Sequence, residues 1–216
     1  MIITGVAIHG ERSVVTRDMK IFKTKKRMVM LSLAACTVVG LCAIEAGAIG
    51  SVLSLRGSAT FCLSPDAARA LADQKVTLEA TGPATASGNC VKLPGKGTLK
   101  TDLTGGELPL EGGMRFTSAD HRLDLSNLNI HIRLGEGYTS ADVSQDGAPA
   151  ANADFLRFPV SPGQVSFTPT SVDTRNNPVK LSPAGTAAFT NAFGATPVLA
   201  GAPLFVFDGH GAVTLG

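Results

Sequence analysis

Residues 122–134 read Arg122-Leu-Asp-Leu-Ser-Asn-Leu-Asn-Ile-His-Ile-Arg-Leu134. Leu123 and Leu125 share one face, the phase slips at Ser126-Asn127, and Leu128, Ile130, Ile132 and Leu134 then resume the alternation. A period of two marks a half-buried strand, and a slip of this kind predicts a bulge or bend within it. Asn129, His131 and Arg133 fall on the opposite face, so His131 reads as a solvated face residue.

Short alternating stretches recur on both sides of this one, separated by Gly, Pro, Asn and Asp. They include Val52–Leu63, Lys75–Ala80, Cys90–Leu93, Gly97–Leu103, Met114–Thr117, Thr139–Ser144, Phe155–Val160, Gln164–Thr168, Pro203–Phe207 and Ala212–Leu215. Many short strands with turn residues between them predict an all-β sandwich or barrel, and an antiparallel β-sandwich is the fold expected here. Two helices interrupt the pattern. Leu63-Ser64-Pro65 leads into Asp66-Ala-Ala-Arg-Ala-Leu-Ala72, and Leu181-Ser182-Pro183 leads into Ala184-Gly-Thr-Ala-Ala-Phe-Thr-Asn-Ala-Phe193. In each, the serine is placed to cap the first-turn N–H groups and the proline sits where its missing N–H does no harm. Ala68 and Leu71 in the first helix, and Ala188, Phe189 and Phe193 in the second, are expected to plug the ends of the β core. The echo is equally compatible with an old duplication and with two uses of one common cap.

Upstream of the β pattern the composition changes. Lys20, Lys23, Lys25, Lys26 and Arg27 lead into the apolar run Met28–Gly50, which ends near the small-residue triplet Ala46-Gly47-Ala48. That is an export leader, with cleavage expected after Ala48, and it places the working protein in the envelope or outside the cell. A start at Met19 or Met28 would give a leader of ordinary length. Two other fates stay open: lipidation at Cys36, within Leu33-Ala34-Ala35-Cys36, and retention as an anchor, since the run is long enough to span a bilayer although it contains Glu45. Membrane contact is expected only through this leader, uncleaved or lipidated at Cys36. Residues 49–216 then form a single β domain.

Charge and cysteine usage agree with export. Of the 19 Lys and Arg residues, seven lie in residues 1–48, which leaves 12 basic against 14 acidic side chains in residues 49–216. The basic excess belongs to the leader, and no Lys/Arg stripe is left to hold nucleic acid. Cys36 and Cys42 lie in the leader, so Cys62 and Cys90 are the pair left for an oxidising compartment, where one disulfide is expected. No His lies between them, and their spacing is not that of a zinc site. No metal site is expected.

The stretch Gly112-Gly113-Met114-Arg115-Phe116-Thr117, followed by Leu123-Asp124-Leu125 and Leu128-Asn129-Ile130, resembles the core motif of the HtaA domain family of exported bacterial proteins. Leu181, Ser182, Gly185, Ala188 and Phe189 extend the match, with Ser182 where the family carries Thr, and the likeness spans roughly residues 90–215. The resemblance implies a β-rich fold with two short helices, export to the cell surface, and haem capture in the best understood members. It also implies an axial tyrosine in an N-terminal segment of the Trp-Gly…Ser-Phe-x-x-Tyr type, with a histidine elsewhere supporting it. This chain has no Trp, and Ser51–Leu63 holds no Tyr.

The haem ligands that remain beyond the leader are Tyr138, His121, His131 and His210. Tyr138 reads as part of a turn, Gly135-Glu-Gly-Tyr-Thr139, outside the family's ligand position. His121 follows Ser118-Ala-Asp120, which is turn chemistry, and His210 in Asp208-Gly-His-Gly211 reads as a hairpin turn. Tyr138, His121 and His210 are the candidate cofactor residues, with haem the candidate cofactor. No Gly-x-Ser-x-Gly elbow, His-Glu-x-x-His pair or phosphate-cradling loop occurs, so catalysis is not expected. The reading is an exported, non-enzymatic binding or structural module, with haem uptake as the alternative.

Overall fold

The computed structural model describes residues 50–214. The expected leader, with its cleavage site and Cys36, lies outside the described residues. In chain order the elements are β1 (Val52–Leu63), α1 (Pro65–Asp73), β2 (Thr77–Thr81), β3 (Thr85–Ser87), β4 (Cys90–Lys100), β5 (Gly106–Pro109), β6 (Gly113–Thr117), β7 (Arg122–Ile132), β8 (Gly135–Gln145), β9 (Ala151–Val160), β10 (Val165–Phe167), β11 (Ser171–Leu181), α2 (Pro183–Phe193) and β12 (Pro203–Thr214). A single 3-10 turn, Pro162–Gln164, precedes β10. No described helix is long and apolar enough to cross a membrane.

The expected sandwich is instead a closed barrel. Antiparallel neighbours run β7-β5-β4-β1-β12-β11-β9-β8, and β8 pairs back onto β7, so these eight strands form a ring. Strands β2 and β6 continue outward from the first half of β7, while β3 lies on β4 and β10 on β11. Alternation looks the same in a sandwich and in a barrel, because both bury one face of each strand. Closure depends on β7, whose first half pairs with β6 and β8 and whose second half pairs with β5 and β8. The expected bulge lies between these halves: the β7–β8 register shifts between Ser126 and Asn129, and Asn127 adopts a φ of 49°.

One stretch that reads as a turn is a strand. Asp208-Gly-His-Gly211 forms no hairpin; β12 runs straight through it, pairing Gly209 with Ala59 and Gly211 with Gly57. A β-carbon on Gly57 would fall 1.8 Å from the His210 carbonyl oxygen, so glycine serves close approach of backbones here rather than reversal of the chain. Strand β11 escapes the sequence reading because Asp173-Thr-Arg-Asn-Asn-Pro178 looks like loop. Its irregularity is absorbed by a register shift between Thr174 and Asn177, with Asn176 at a φ of 53°.

The two helices cap one end of the barrel, by a shared device. Ser64 Oγ accepts from the Ala67 N–H at 3.2 Å and donates to the Pro203 carbonyl at 2.8 Å. Ser182 Oγ accepts from the Gly185 N–H at 3.0 Å and donates to the Asp154 carbonyl. Their backbone N–H groups bond to Leu204 O and Phe155 O in turn. Each serine thus caps a helix and ties it to a strand. Beneath them sit the fully buried rings of Phe61, Phe116, Phe155, Phe189 and Phe205, with Phe116 and Phe189 4.8 Å apart edge to face. Leu71 and Phe189 plug this end as expected. The alanine that α1 buries is Ala67, rather than Ala68, because the helix starts at Pro65 and turns residue 67 inward.

Cys62 and Cys90 face one another in the β1–β4 ladder, with Cα atoms 3.9 Å apart, and are joined by the expected disulfide. At the far end of the barrel, where β1 begins and β12 finishes, no α-helix among the described residues packs. The side chains there leave an apolar cavity of about 100 Å³.

Candidate functional site

The barrel wall turns odd and even residues of each strand to opposite sides, so the titratable groups are sorted by register. On β7 and β8, His131 stands opposite Tyr138, and on β5 it stands opposite Glu107. All three face outward. The His131 and Tyr138 rings stack with centroids 4.4 Å apart and planes 12° from parallel. His131 Nε2 lies 3.1 Å from Ser140 Oγ and its Nδ1 lies 3.7 Å from Glu107 Oε1. Both imidazole nitrogens therefore have polar neighbours, whereas the Tyr138 hydroxyl takes no hydrogen-bond partner among the described residues.

Charged groups of both signs stand beside the ring pair. The Arg133 guanidinium sits 5.5 Å from the Tyr138 ring centroid, within cation–π range. Arg157, the register partner of Tyr138 on β9, pairs with Glu136 at 3.1 Å. A phenol is a ligand for ferric iron, and guanidinium groups bind carboxylates, so this patch holds the right chemistry for an iron porphyrin's metal and acid groups. Apolar walls are the missing part. Phe158, the nearby phenylalanine, is buried inside the barrel, and Leu134, at the β7–β8 turn, is the exposed apolar side chain in this neighbourhood.

Tyr138 is thus a strand residue, not a turn residue. Gly135, at a φ of 92°, does serve the β7–β8 turn, but Gly137 has another cause: a β-carbon there would fall 2.3 Å from the Phe158 ring, so the wall needs glycine for the aromatic to pack beneath it. His131 was legible only as an outward-facing residue, since its partnership with Tyr138 depends on β7–β8 register.

The other two candidates lie elsewhere. His121 closes the β6–β7 hairpin as expected, with its Nδ1 3.1 Å from Asp146 Oδ2. The Arg122 backbone N–H and then His121 hold the Asp146 carboxyl below its ordinary value. His210 stands on β12, four strands from β7 either way around the ring. Its Nδ1 lies 2.6 Å from Asp173 Oδ1, and His210 followed by the Ser171 hydroxyl lowers the Asp173 carboxyl. Tyr138, His121 and His210 therefore do not converge. Among the described residues no group of three His, Cys, Asp or Glu side chains could hold a metal ion.

The family model described as Htaa matches residues 69–202. No curated protein matches the chain. Among solved structures, the C-terminal domain of HtaA from Corynebacterium glutamicum is similar at a TM-score of 0.59 and 15% identity, covering 75% of this chain and 99% of that one. The N-terminal domain of the same protein is similar at a TM-score of 0.54 and 15% identity, covering 78% and 100%. The haem-binding protein HtaB of that organism has a TM-score of 0.47 at 12% identity, covering 76% and 96%.

Proposed function

We propose that this chain, which belongs to the HtaA family, is an exported, non-enzymatic binding module of the cell envelope. The observation that carries this reading is the separation of its functional groups. His121–Asp146, His210–Asp173 and His131–Tyr138 are three local pairs on different parts of the outer wall, whereas a catalytic site needs nucleophile, base and orienting group within reach of one reacting atom. A closed barrel supports such a role because its wall has no free edge along the ring and holds outward side chains in fixed register.

A second reading is favoured by one specific contact. Tyr138, stacked on His131 and flanked by Arg133 and Arg157, supports haem as the ligand on the outer face of β7–β8. Tyr138 oxygen would be the iron ligand, His131 the ring that fixes it, and the arginines the partners of the propionates. His121 and His210 have no part in this arrangement.

A hemin titration of the purified protein, followed in the Soret region, tests both readings. Saturation at one equivalent that is lost in Tyr138→Phe and kept in His121→Ala and His210→Ala establishes haem at this patch. A linear, unsaturable response identical in all variants removes haem and leaves a module for another envelope ligand.

A further inference from the structure

The cavity at the end of the barrel away from α1 and α2 has a built character of its own. Its walls are Leu55, Leu99, Leu108, Ile130, Ile132 and Val172, all pointing inward from the ring strands. Residues are small where bulk would fill it: Ala59, Gly57, Gly95 and Gly211 also line it. At about 100 Å³ it is two-thirds the size of an apolar cavity of ~150 Å³ that stays dry and takes up benzene.

One side of the cavity is polar. Thr174, Asn177 and Gln164 lie there together, with Asn177 Nδ2 donating to the Pro159 carbonyl at 3.1 Å and Gln164 Nε2 reaching Asn177 Oδ1 at 3.5 Å. Asn177 is 95% buried on the 5% exposure it retains. The Thr174 hydroxyl is buried and makes no hydrogen bond. A buried hydroxyl without a partner is costly, and this one borders the empty space. Asp173 and His210 stand at the same margin. The end of the barrel that holds the cavity also carries Val52, Leu134 and Phe167, which are large apolar side chains left exposed.

We infer that this cavity binds the end of an alkyl chain whose neutral polar head, a hydroxyl or ester, bonds to Thr174 and its amide neighbours. The apolar walls take the chain. The Thr174 hydroxyl gains the partner it lacks, and Asp173 disfavours a carboxylate head. Cavity and Tyr138 lie on opposite faces of the β7–β8 wall, so this site is independent of haem.

Calorimetric titration of the purified protein with 1-octanol tests the assignment. Saturable binding at one equivalent is expected, weaker for octanoate. Ala59→Phe, which fills the cavity from β1, abolishes it. Thr174→Val, which keeps the shape and removes the hydroxyl, weakens it by about 3- to 10-fold, so the assignment does not depend on Ala59→Phe folding. Phe167→Ser and Tyr138→Phe leave it unchanged. Unsaturable uptake, uptake lost in Phe167→Ser, or equal affinity in Thr174→Val and the parent protein would overturn the assignment, and octanoate binding as tightly as octanol would overturn the neutral head.

Discussion

Tyr138 lies flat on His131 across the β7–β8 ladder, 4.4 Å from centroid to centroid. These residues are seven apart in sequence, yet the tight connection between β7 and β8 makes them direct cross-strand partners. The pair covers the wall just beyond Gly137, where the Phe158 ring packs from inside. Outer stacking and inner packing therefore reinforce the same segment.

That arrangement makes the pair structural whether or not a ligand uses it. Tyr138→Ala is expected to destabilise the domain by about 1 kcal/mol, and a double-mutant cycle with His131→Ala to give a coupling of about 0.5–1 kcal/mol. Urea unfolding followed by circular dichroism measures both. Additive losses would mean that the stacked rings contribute nothing to each other.

The Ser64 and Ser182 hydroxyls each serve a helix N-terminus and a strand carbonyl at once. Both serines are buried, so water cannot replace either partner. Ser64→Ala and Ser182→Ala are each expected to cost about 1–3 kcal/mol, above the usual loss of an exposed cap. Equal costs at the two positions would match the equal geometry. A cost below about 0.5 kcal/mol at either would show that the cap is dispensable.

Much of this end of the fold was legible in the sequence, and the reason is locality. Ser-Pro followed by an alanine-rich segment fixes a capped helix within a few residues, and the slip at Ser126-Asn127 betrays a bulge within one strand. Ring closure was not legible, because whether β8 returns to β7 is decided between distant segments that all alternate alike. The candidate site failed for the same reason. Gly135-Glu-Gly-Tyr138 suggested a turn, and Gly135, at a φ of 92°, stands at one, but Gly137 makes room for Phe158, and the phenylalanine that explains it is on another strand. Asp208-Gly-His-Gly211 misled in the same way, through the close approach of β12 to β1.

Cys62 and Cys90 are directly opposed in the β1–β4 ladder and 28 residues apart in sequence. Their bond acts mainly by shortening the unfolded chain's reach. Cys62→Ser with Cys90→Ser is expected to lower stability by about 3 kcal/mol without changing the fold. Urea midpoints with and without reductant check this: the parent should fall to the double mutant's midpoint on reduction, and a parent insensitive to reductant would contradict the bond's role.

Acid should lower the protein's stability through its depressed aspartates. Asp146 is held by the Arg122 N–H and His121, and Asp173 by His210 and Ser171, so each has a folded-state value below the ordinary 3.8. The unfolded chain therefore binds protons first as pH falls. The stability these groups supply is complete above the ordinary value and is lost as pH drops through it towards the lowered one. Thermal melts should hold their midpoints from neutral pH to about pH 5 with respect to these groups, then decline below about pH 4. Asp146→Asn and Asp173→Asn should each flatten that decline; an unchanged acid limb in both would assign it to other carboxylates.

Thr139 offers the opposite kind of prediction, a gain. It lies on β8 between Ile130 and Leu156, is fully buried, and its hydroxyl makes no hydrogen bond. In the unfolded chain that hydroxyl is solvated, so folding strips it of water and gives nothing back. Valine has nearly the same shape and the same preference for a strand, and carries a methyl where the hydroxyl stands. Thr139→Val should therefore stabilise the domain by about 1–2 kcal/mol, in contrast to the losses expected from most core substitutions. Chemical denaturation reads the gain directly. Thr139→Ser, which keeps the hydroxyl and removes the methyl, separates the two contributions: it should be destabilising, because the orphan group stays and a small cavity is added. If Thr139→Val is destabilising instead, the hydroxyl has a partner in solution, and an ordered water inside the β8 wall would be the first to look for by its exchange with bulk solvent.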